Sequence, residues 1–175
     1  IDTNSRQSVD LLERALGGIT RSLDKLVAKE RLSALDRDSA LARISTTTST
    51  DGLAGCDLII EAATENEALK LKIFEQMDAI AKPGAILATN TSSISITRIA
   101  AATSRPESVV GMHFFNPVPI MKLVEIIRGL DTSEETYAAT RAAAEAMGKT
   151  VVVAQDAPGF IVNRVLIPML NEAVT

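Results

Sequence analysis

Five short apolar runs, set apart by stretches of helical periodicity, constrain the fold of this chain more than any other feature. They are DLIIEAA (57–63), AILATNT (85–91), VVGMHFF (109–115), KLVEIIRG (122–129) and TVVVA (150–154). Runs this short and this apolar predict strands covered on both faces. Between them the period changes. Thr64-x-x-Glu67 reads as a capping box opening a helix with Leu69, Ile73, Met77 and Ile80 on one side, stopped by Pro83-Gly84. Ser92-Ser93 starts a turn and a helix through Ile99, which Arg105-Pro106 breaks. Thr132-x-x-Glu135 is a second capping box, for an alanine-rich helix over 134–147 that Gly148 should end in the left-handed conformation. Such alternation predicts an α/β fold, a doubly wound and mostly parallel sheet with right-handed crossovers.

The flanks carry helical signals. Ile1-Asp2 reads as the end of a strand. Val9, Leu12, Leu16, Ile19, Leu23 and Leu26 predict a long amphipathic helix to about Leu32, weakened at Gly17-Gly18. A second short helix is expected over 39–44, and the polar tract 45–50 is a loop or an edge strand. At the other end, Asp156-Ala157-Pro158-Gly159 turns the chain into an apolar helix from Phe160, with Pro168 as a kink.

The chemistry concentrates in GMHFFNPVPIMKLVEII (111–127), which holds the single histidine, His113, and places Glu125 twelve positions downstream. Asn116-Pro117-Val118-Pro119 cannot continue a central strand, because proline has no N–H to give. An imidazole therefore sits where one strand ends and a carboxylate sits inside the next. Open α/β sheets bind ligands outside the carboxyl ends of their strands. Histidine exchanges a proton near neutral pH, and a buried carboxylate on its other ring nitrogen fixes the tautomer and stabilises the imidazolium. On these residues alone, a core histidine satisfied by a backbone carbonyl is the favoured reading.

Other classes of function are disfavoured. A net charge of −4 and a pI near 5.1 argue against a general nucleic-acid binder. No apolar run approaches the length of a membrane span. One cysteine, Cys56, precludes an internal disulfide and suits a reducing, cytoplasmic setting. With a single histidine beside it, no metal site is expected. Tyr137 is followed at Tyr-x-x-x-Lys spacing by Arg141, which disfavours a short-chain dehydrogenase. The nine glycines (17, 18, 52, 55, 84, 111, 129, 148 and 159) build no G-x-G-x-x-G turn. If the chain enters at the end of a second strand, Asp2 falls where a dinucleotide fold carries its ribose-binding acid; it is equally suited to capping the helix that follows.

NTSSISI (90–96), GMHFFNPVPIMKLVEI (111–126) and DAPGFIVNR (156–164) together resemble the L-3-hydroxyacyl-CoA dehydrogenase family, and the likeness runs over nearly the whole chain. The resemblance implies a Rossmann-like domain over 1–157 that lacks its first βα unit, then the start of a helical substrate and dimerisation domain over 158–175. It implies oxidation of a 3-hydroxyacyl-CoA to the 3-oxo thioester, with NAD as cofactor. His113 matches the general base and Glu125 the acid that orients it. Ser92 matches a residue near cofactor and substrate oxygen, and Asn163 the asparagine that holds substrate beside the histidine. Asp2, Glu65, Lys70, Ser92 and Asn116 match cofactor contacts; Ser22 and Lys29 match positions touching CoA. The partners implied are an acyl-CoA substrate and, through the helical domain, a second copy of the parent chain. The bare residues also allow plainer roles: Ser92 as a helix cap, Lys29 as an exposed helix charge, Glu65 as first-turn charge. A sugar-acid dehydrogenase on the same scaffold, or a non-catalytic nucleotide-binding protein, is the alternative. Without the glycine loop, the 175 residues by themselves are expected to bind NAD poorly and to be nearly inactive.

Overall fold

The computed structural model describes residues 6–174, so the strand end expected at Ile1-Asp2, and Asp2 itself, lie outside the described residues. The chain divides into two compact units, one up to Gly52 and one from Leu53 onward.

In the first unit, helix α1 (Arg6–Ala28) runs unbroken through Gly17-Gly18 and ends four residues short of Leu32. Glu30, at φ 55°, turns the chain away in the left-handed conformation. Helix α2 (Ala34–Ala42) starts earlier than its apolar pattern predicts, because the Ser33 hydroxyl caps it by accepting from the Asp36 N–H. Arg37 of α2 pairs with Asp24 of α1 at 2.8 Å. The polar tract after Ile44 forms no strand and leads into a 3-10 turn at Thr50–Leu53.

The second unit is built on one sheet of five strands: β1 (Leu58–Glu61), β2 (Ile86–Thr89), β3 (Val109–Phe114), β4 (Leu123–Arg128) and β5 (Thr150–Gln155), hydrogen-bonded in that order. β1, β2 and β3 are parallel, as the alternation predicts. β4 then runs antiparallel to β3, and β5 follows β4 in parallel. The physical reason is connection length. Only residues 115–122 join β3 to β4, and a parallel crossover needs roughly a dozen or more.

Four helices complete the unit: α3 (Glu67–Ile80), α4 (Ile96–Ala100), α5 (Glu134–Ala146) and α6 (Val162–Val174). Strand alternation divides the core into two layers. On one face Ile59, Leu87, Val109 and Ile127 meet Phe74 and Met77 of α3 and Ile96 and Ile99 of α4. On the other, Val110, Met112, Val124 and Ile126 pack with Ala144 and Tyr137 of α5. His113, Glu125, Glu61 and Thr89 share the register of the first face, so polar side chains occupy that face where its apolar cover ends.

The caps differ in one respect from the sequence reading. Asn66, not Thr64, caps α3 by accepting from the Leu69 N–H. Ser133, not Thr132, caps α5 by accepting from the Thr136 N–H. In each case the next polar residue was closer to the first helical turn. Thr132 instead donates to the Val109 carbonyl at 2.7 Å and ties the β4–α5 turn to β3. Gly148 takes the expected left-handed φ of 74°. Among the described residues no helix is long and apolar enough to cross a membrane.

Candidate active site at the carboxyl end of β3

The antiparallel register sets His113 directly opposite Glu125. Side chains facing each other across an antiparallel pair project to the same side, with Cβ atoms about 4.5–5.5 Å apart. The imidazole and carboxylate therefore meet without any loop to position them, and Nδ1 of His113 lies 2.7 Å from Oε2 of Glu125. The glycine two residues before His113 makes the spacing possible. A Cβ on Gly111 would come within 2.9 Å of both Ile127 Cβ, on its partner residue in β4, and Ile96 Cδ1. Any side chain there would push β4 or α4 off β3.

Glu125 is fully buried, and both of its oxygens are used. Oε1 accepts from the backbone N–H groups of Ile161 (3.0 Å) and Val162 (2.9 Å), at the first turn of α6. Those N–H groups have no partner within the helix, and the helix dipole favours an anion there. Oε2 is thereby left to accept from Nδ1 of His113, and a neutral ring bonded in this way presents Nε2 as its acceptor. The ring is 7% exposed and is flanked by Phe115, with centroids 4.6 Å apart, and by Phe160 at 5.9 Å. The plain alternative of a histidine satisfied by a backbone carbonyl is thus not what the fold builds.

Asn90 secures the strand that carries the base. Its Oδ1 accepts from the Phe114 N–H at 2.8 Å, clamping the end of β2 to the end of β3. Sequence reasoning passed over Asn90, although it opens the NTSS motif.

Ser92 sits in the loop after β2, and Glu65 gathers that loop. Oε1 of Glu65 accepts from Thr91 Oγ1 (2.7 Å), Ser92 N–H (2.8 Å), Ser92 Oγ (3.0 Å) and Ser93 Oγ (3.2 Å). Desolvation works to raise the Glu65 carboxyl. The donations from Thr91 and Ser92, with the Lys70 ammonium nearby, outweigh it and hold the group below the usual carboxylate range. Asn163, in the first turn of α6, donates from Nδ2 to the Ser92 carbonyl at 3.3 Å. A cleft of about 470 Å³ opens between these pieces, lined by Ser92, Ser93, Pro158, Gly159, Asn163 and Arg164 among others.

Lys70 is placed differently from what its matched role suggests. It is 2% exposed, and Nζ donates to both oxygens of Glu61, at 2.9 and 2.8 Å, with Glu65 Oε2 at 3.7 Å. Glu61 also accepts from Thr89 Oγ1 at 2.8 Å and the Ala63 N–H at 2.6 Å. Glu61 was missed in the sequence, though a single acid inside DLIIEAA was a visible signal. Asp156, in DAPGF, caps α4 from a distance: it accepts from Ser95 Oγ and from the N–H groups of Ile96 and Thr97. Burial alone would raise its carboxyl, but the donors from Thr97, Ser95 and Ile96 hold it below the usual range.

Asn116 is exposed just past β3. Ser22 and Lys29 belong to the first unit; both are exposed, and Ser22 Oγ donates to the Gly18 carbonyl at 2.9 Å within α1.

What the described residues offer is a buried imidazole with one free nitrogen, a carboxylate fixing its tautomer, and hydroxyl and amide groups at the ends of parallel strands. Comparison with known proteins narrows this chemistry. The family described as 3-hydroxyacyl-CoA dehydrogenase, NAD binding domain, matches residues 3–157. A 3-hydroxybutyryl-CoA dehydrogenase of Bradyrhizobium diazoefficiens is 48% identical over 167 residues, 95% of this chain and 57% of that protein. A fatty acid oxidation complex subunit alpha of Acinetobacter baylyi is 50% identical over 83% of this chain and 20% of that protein. The crystal structure of (S)-3-hydroxybutyryl-CoA dehydrogenase from Ralstonia eutropha superposes with a TM-score of 0.92 at 51% identity, over 97% of this chain and 59% of that one. The chain therefore spans less than two thirds of the length of these relatives. Because the matched region takes in every strand of the sheet and both members of the imidazole–carboxylate pair, this chain belongs to the 3-hydroxyacyl-CoA dehydrogenase NAD binding domain family.

Proposed function

We propose that the protein catalyses NAD-dependent oxidation of an (S)-3-hydroxyacyl-CoA to the 3-oxoacyl-CoA, with His113 as general base and Glu125 as the residue that orients it. The 2.7 Å contact between His113 Nδ1 and a fully buried Glu125 carries this reading. Oxidation of a secondary alcohol removes a hydride from C3 and a proton from the attached oxygen. When bound, NAD supplies the hydride acceptor. His113 Nε2 takes the proton, and Glu125 stabilises the imidazolium that results.

Ser92 and Asn163 are the substrate-positioning groups in this scheme. A serine hydroxyl has one proton to give, and here Ser92 gives it to Glu65. Rotating that hydroxyl toward substrate leaves Glu65 with three other donors, from Thr91, Ser92 N–H and Ser93. Ser92 can thus turn to the substrate oxygen without stranding the carboxylate. Two such hydrogen bonds fix a reactant in reach of the base.

The donor set fits a dinucleotide. The hydroxyls and acids of β1 and β2 lie at the carboxyl ends of parallel strands, where this class of sheet binds ligands. Glu65, Ser92 and Asn116 are the contacts we assign to it, with Lys70 acting next to Glu65 and Asp2 in the ribose role. Ser22 and Lys29 are assigned to CoA, Lys29 offering a cation for a phosphate. We read residues 158–175 as opening a helical domain through which two copies of the whole protein associate. We place the protein in the cytoplasm, a reducing compartment that the single free Cys56 suits.

The test is His113→Ala in the whole protein, with acetoacetyl-CoA and NADH as the reverse-direction assay. Turnover should fall by about 10²–10⁴-fold while NADH binding, read by fluorescence, is retained. Undiminished turnover would overturn the assignment of the base.

A further inference from the structure

The proposed reaction uses Ser92, yet the residue that organises the Ser92 loop, Glu65, stands next to a buried ammonium. Lys70 Nζ lies 3.7 Å from Glu65 Oε2, too far for a hydrogen bond and close enough for strong attraction. An ammonium in so dry a place takes the best carboxylate within reach. Here that carboxylate is Glu61, with both oxygens within 2.9 Å of Nζ. Glu61 is itself locked by Thr89 Oγ1 and the Ala63 N–H, and its side chain is 2% exposed. Glu65 is consequently left to receive four donors from Thr91, Ser92 and Ser93.

We propose that Glu61 is a positioning residue: by holding the Lys70 ammonium it keeps that charge from capturing Glu65, and so leaves Glu65 to fix the Ser92 loop. Removal of the Glu61 charge leaves Lys70 with Glu65 as its nearest carboxylate. The Glu65 side chain is 42% exposed and has room to turn toward the ammonium. Each step it takes that way draws its carboxylate from the loop donors. Removing the ammonium as well takes away the competitor, and the loop recovers.

Amide hydrogen exchange on this chain reads the loop directly. In Glu61→Gln, which keeps the side-chain shape, exchange at the Ser92 N–H should accelerate about tenfold relative to Leu87 and Thr89 of β2, the size of one lost charge-assisted hydrogen bond. In the double variant Glu61→Gln/Lys70→Met it should return to near the wild-type rate. A Ser92 amide that merely follows Leu87 in the single variant, or stays fast in the double, would overturn the proposal and leave the pair a packing element. Should Glu61→Gln not fold, Glu61→Asp, whose shorter carboxylate loosens its hold on Lys70, takes its place with the same two outcomes. The consequence for turnover rests on the proposed role of Ser92. An inactive whole protein with the expected exchange pattern would unseat that role and leave the positioning device standing.

Discussion

Two buried charge pairs share one face of the sheet, and they are built on opposite principles. His113–Glu125 spans an antiparallel register between neighbouring strands, and only one of its two ring nitrogens is held by the carboxylate. Glu61–Lys70 joins a strand end to a helix nine residues later, and the ammonium bonds both oxygens of its partner. In the first pair the carboxylate's second oxygen is satisfied by backbone N–H groups of α6, so the imidazole remains the variable partner. In the second, every oxygen and the ammonium are committed to one another or to Thr89 and Ala63. The first pair leaves one ring nitrogen uncommitted, whereas the second leaves no polar atom over. Under the proposed function, that difference leaves chemistry to β3–β4 and architecture to β1–α3.

The strongest way to break the comparison is at the proton carrier. His113→Ala should lose turnover by about 10²–10⁴-fold in the acetoacetyl-CoA and NADH assay, equivalent to roughly 3–5 kcal/mol of barrier.

Next in size is the permanent pair. Lys70→Met leaves Glu61 buried without its counter-ion and should cost about 3–5 kcal/mol of stability, whereas the double change Glu61→Leu/Lys70→Met should cost far less. Chemical denaturation of both variants measures this. If the single variant is as stable as the parent, the pair is not the constraint described.

A smaller effect is expected at Gly111→Ala, where a new Cβ meets Ile127 and Ile96 at 2.9 Å. Overpacking of this kind costs about 1–3 kcal/mol. It should also lengthen the His113–Glu125 contact, so activity should drop by more than stability alone explains. Equal losses in the two would mean that register, not strand spacing, carries the dyad.

The smallest effect is expected at the carboxylates that brace the structure around both pairs. Asp156 and Asp78 are both held below the usual carboxylate range against desolvation, Asp156 by donors from α4 and Asp78 by Ser104 and Arg105. A carboxyl depressed in the fold adds stability above its unfolded pKa, and that stability is lost as pH falls toward the folded value. Stability should therefore decline between the ordinary aspartate range and more acidic pH. Asp156→Asn should flatten that slope, and an unchanged slope would remove Asp156 from the explanation.

How much of this was legible beforehand varies by element. The five strands and the helices α3, α5 and α6 follow from period and breakers. Their caps did not, because Thr64 and Thr132 satisfy the capping-box motif while Asn66 and Ser133, one or two residues nearer the helix, make the cap. The reversal at β4 was present in the shortness of the segment 115–122, and weighing that length against a parallel crossover would have found it. Glu61 and Asn90 escaped notice because their importance lies in partners far along the chain: Thr89 is 28 residues from Glu61, and Phe114 is 24 from Asn90.

The sequence by itself determined the family, the alternation of strand and helix, and the identity of the one imidazole and its acid, since these rest on local residue types and their spacing. Only the tertiary structure decided that the two stand face to face, that Glu125 also receives the first turn of α6, and that Lys70 is buried against Glu61. Those facts depend on strand direction, register and desolvation, which arise when distant segments pack and which spacing along a chain does not encode.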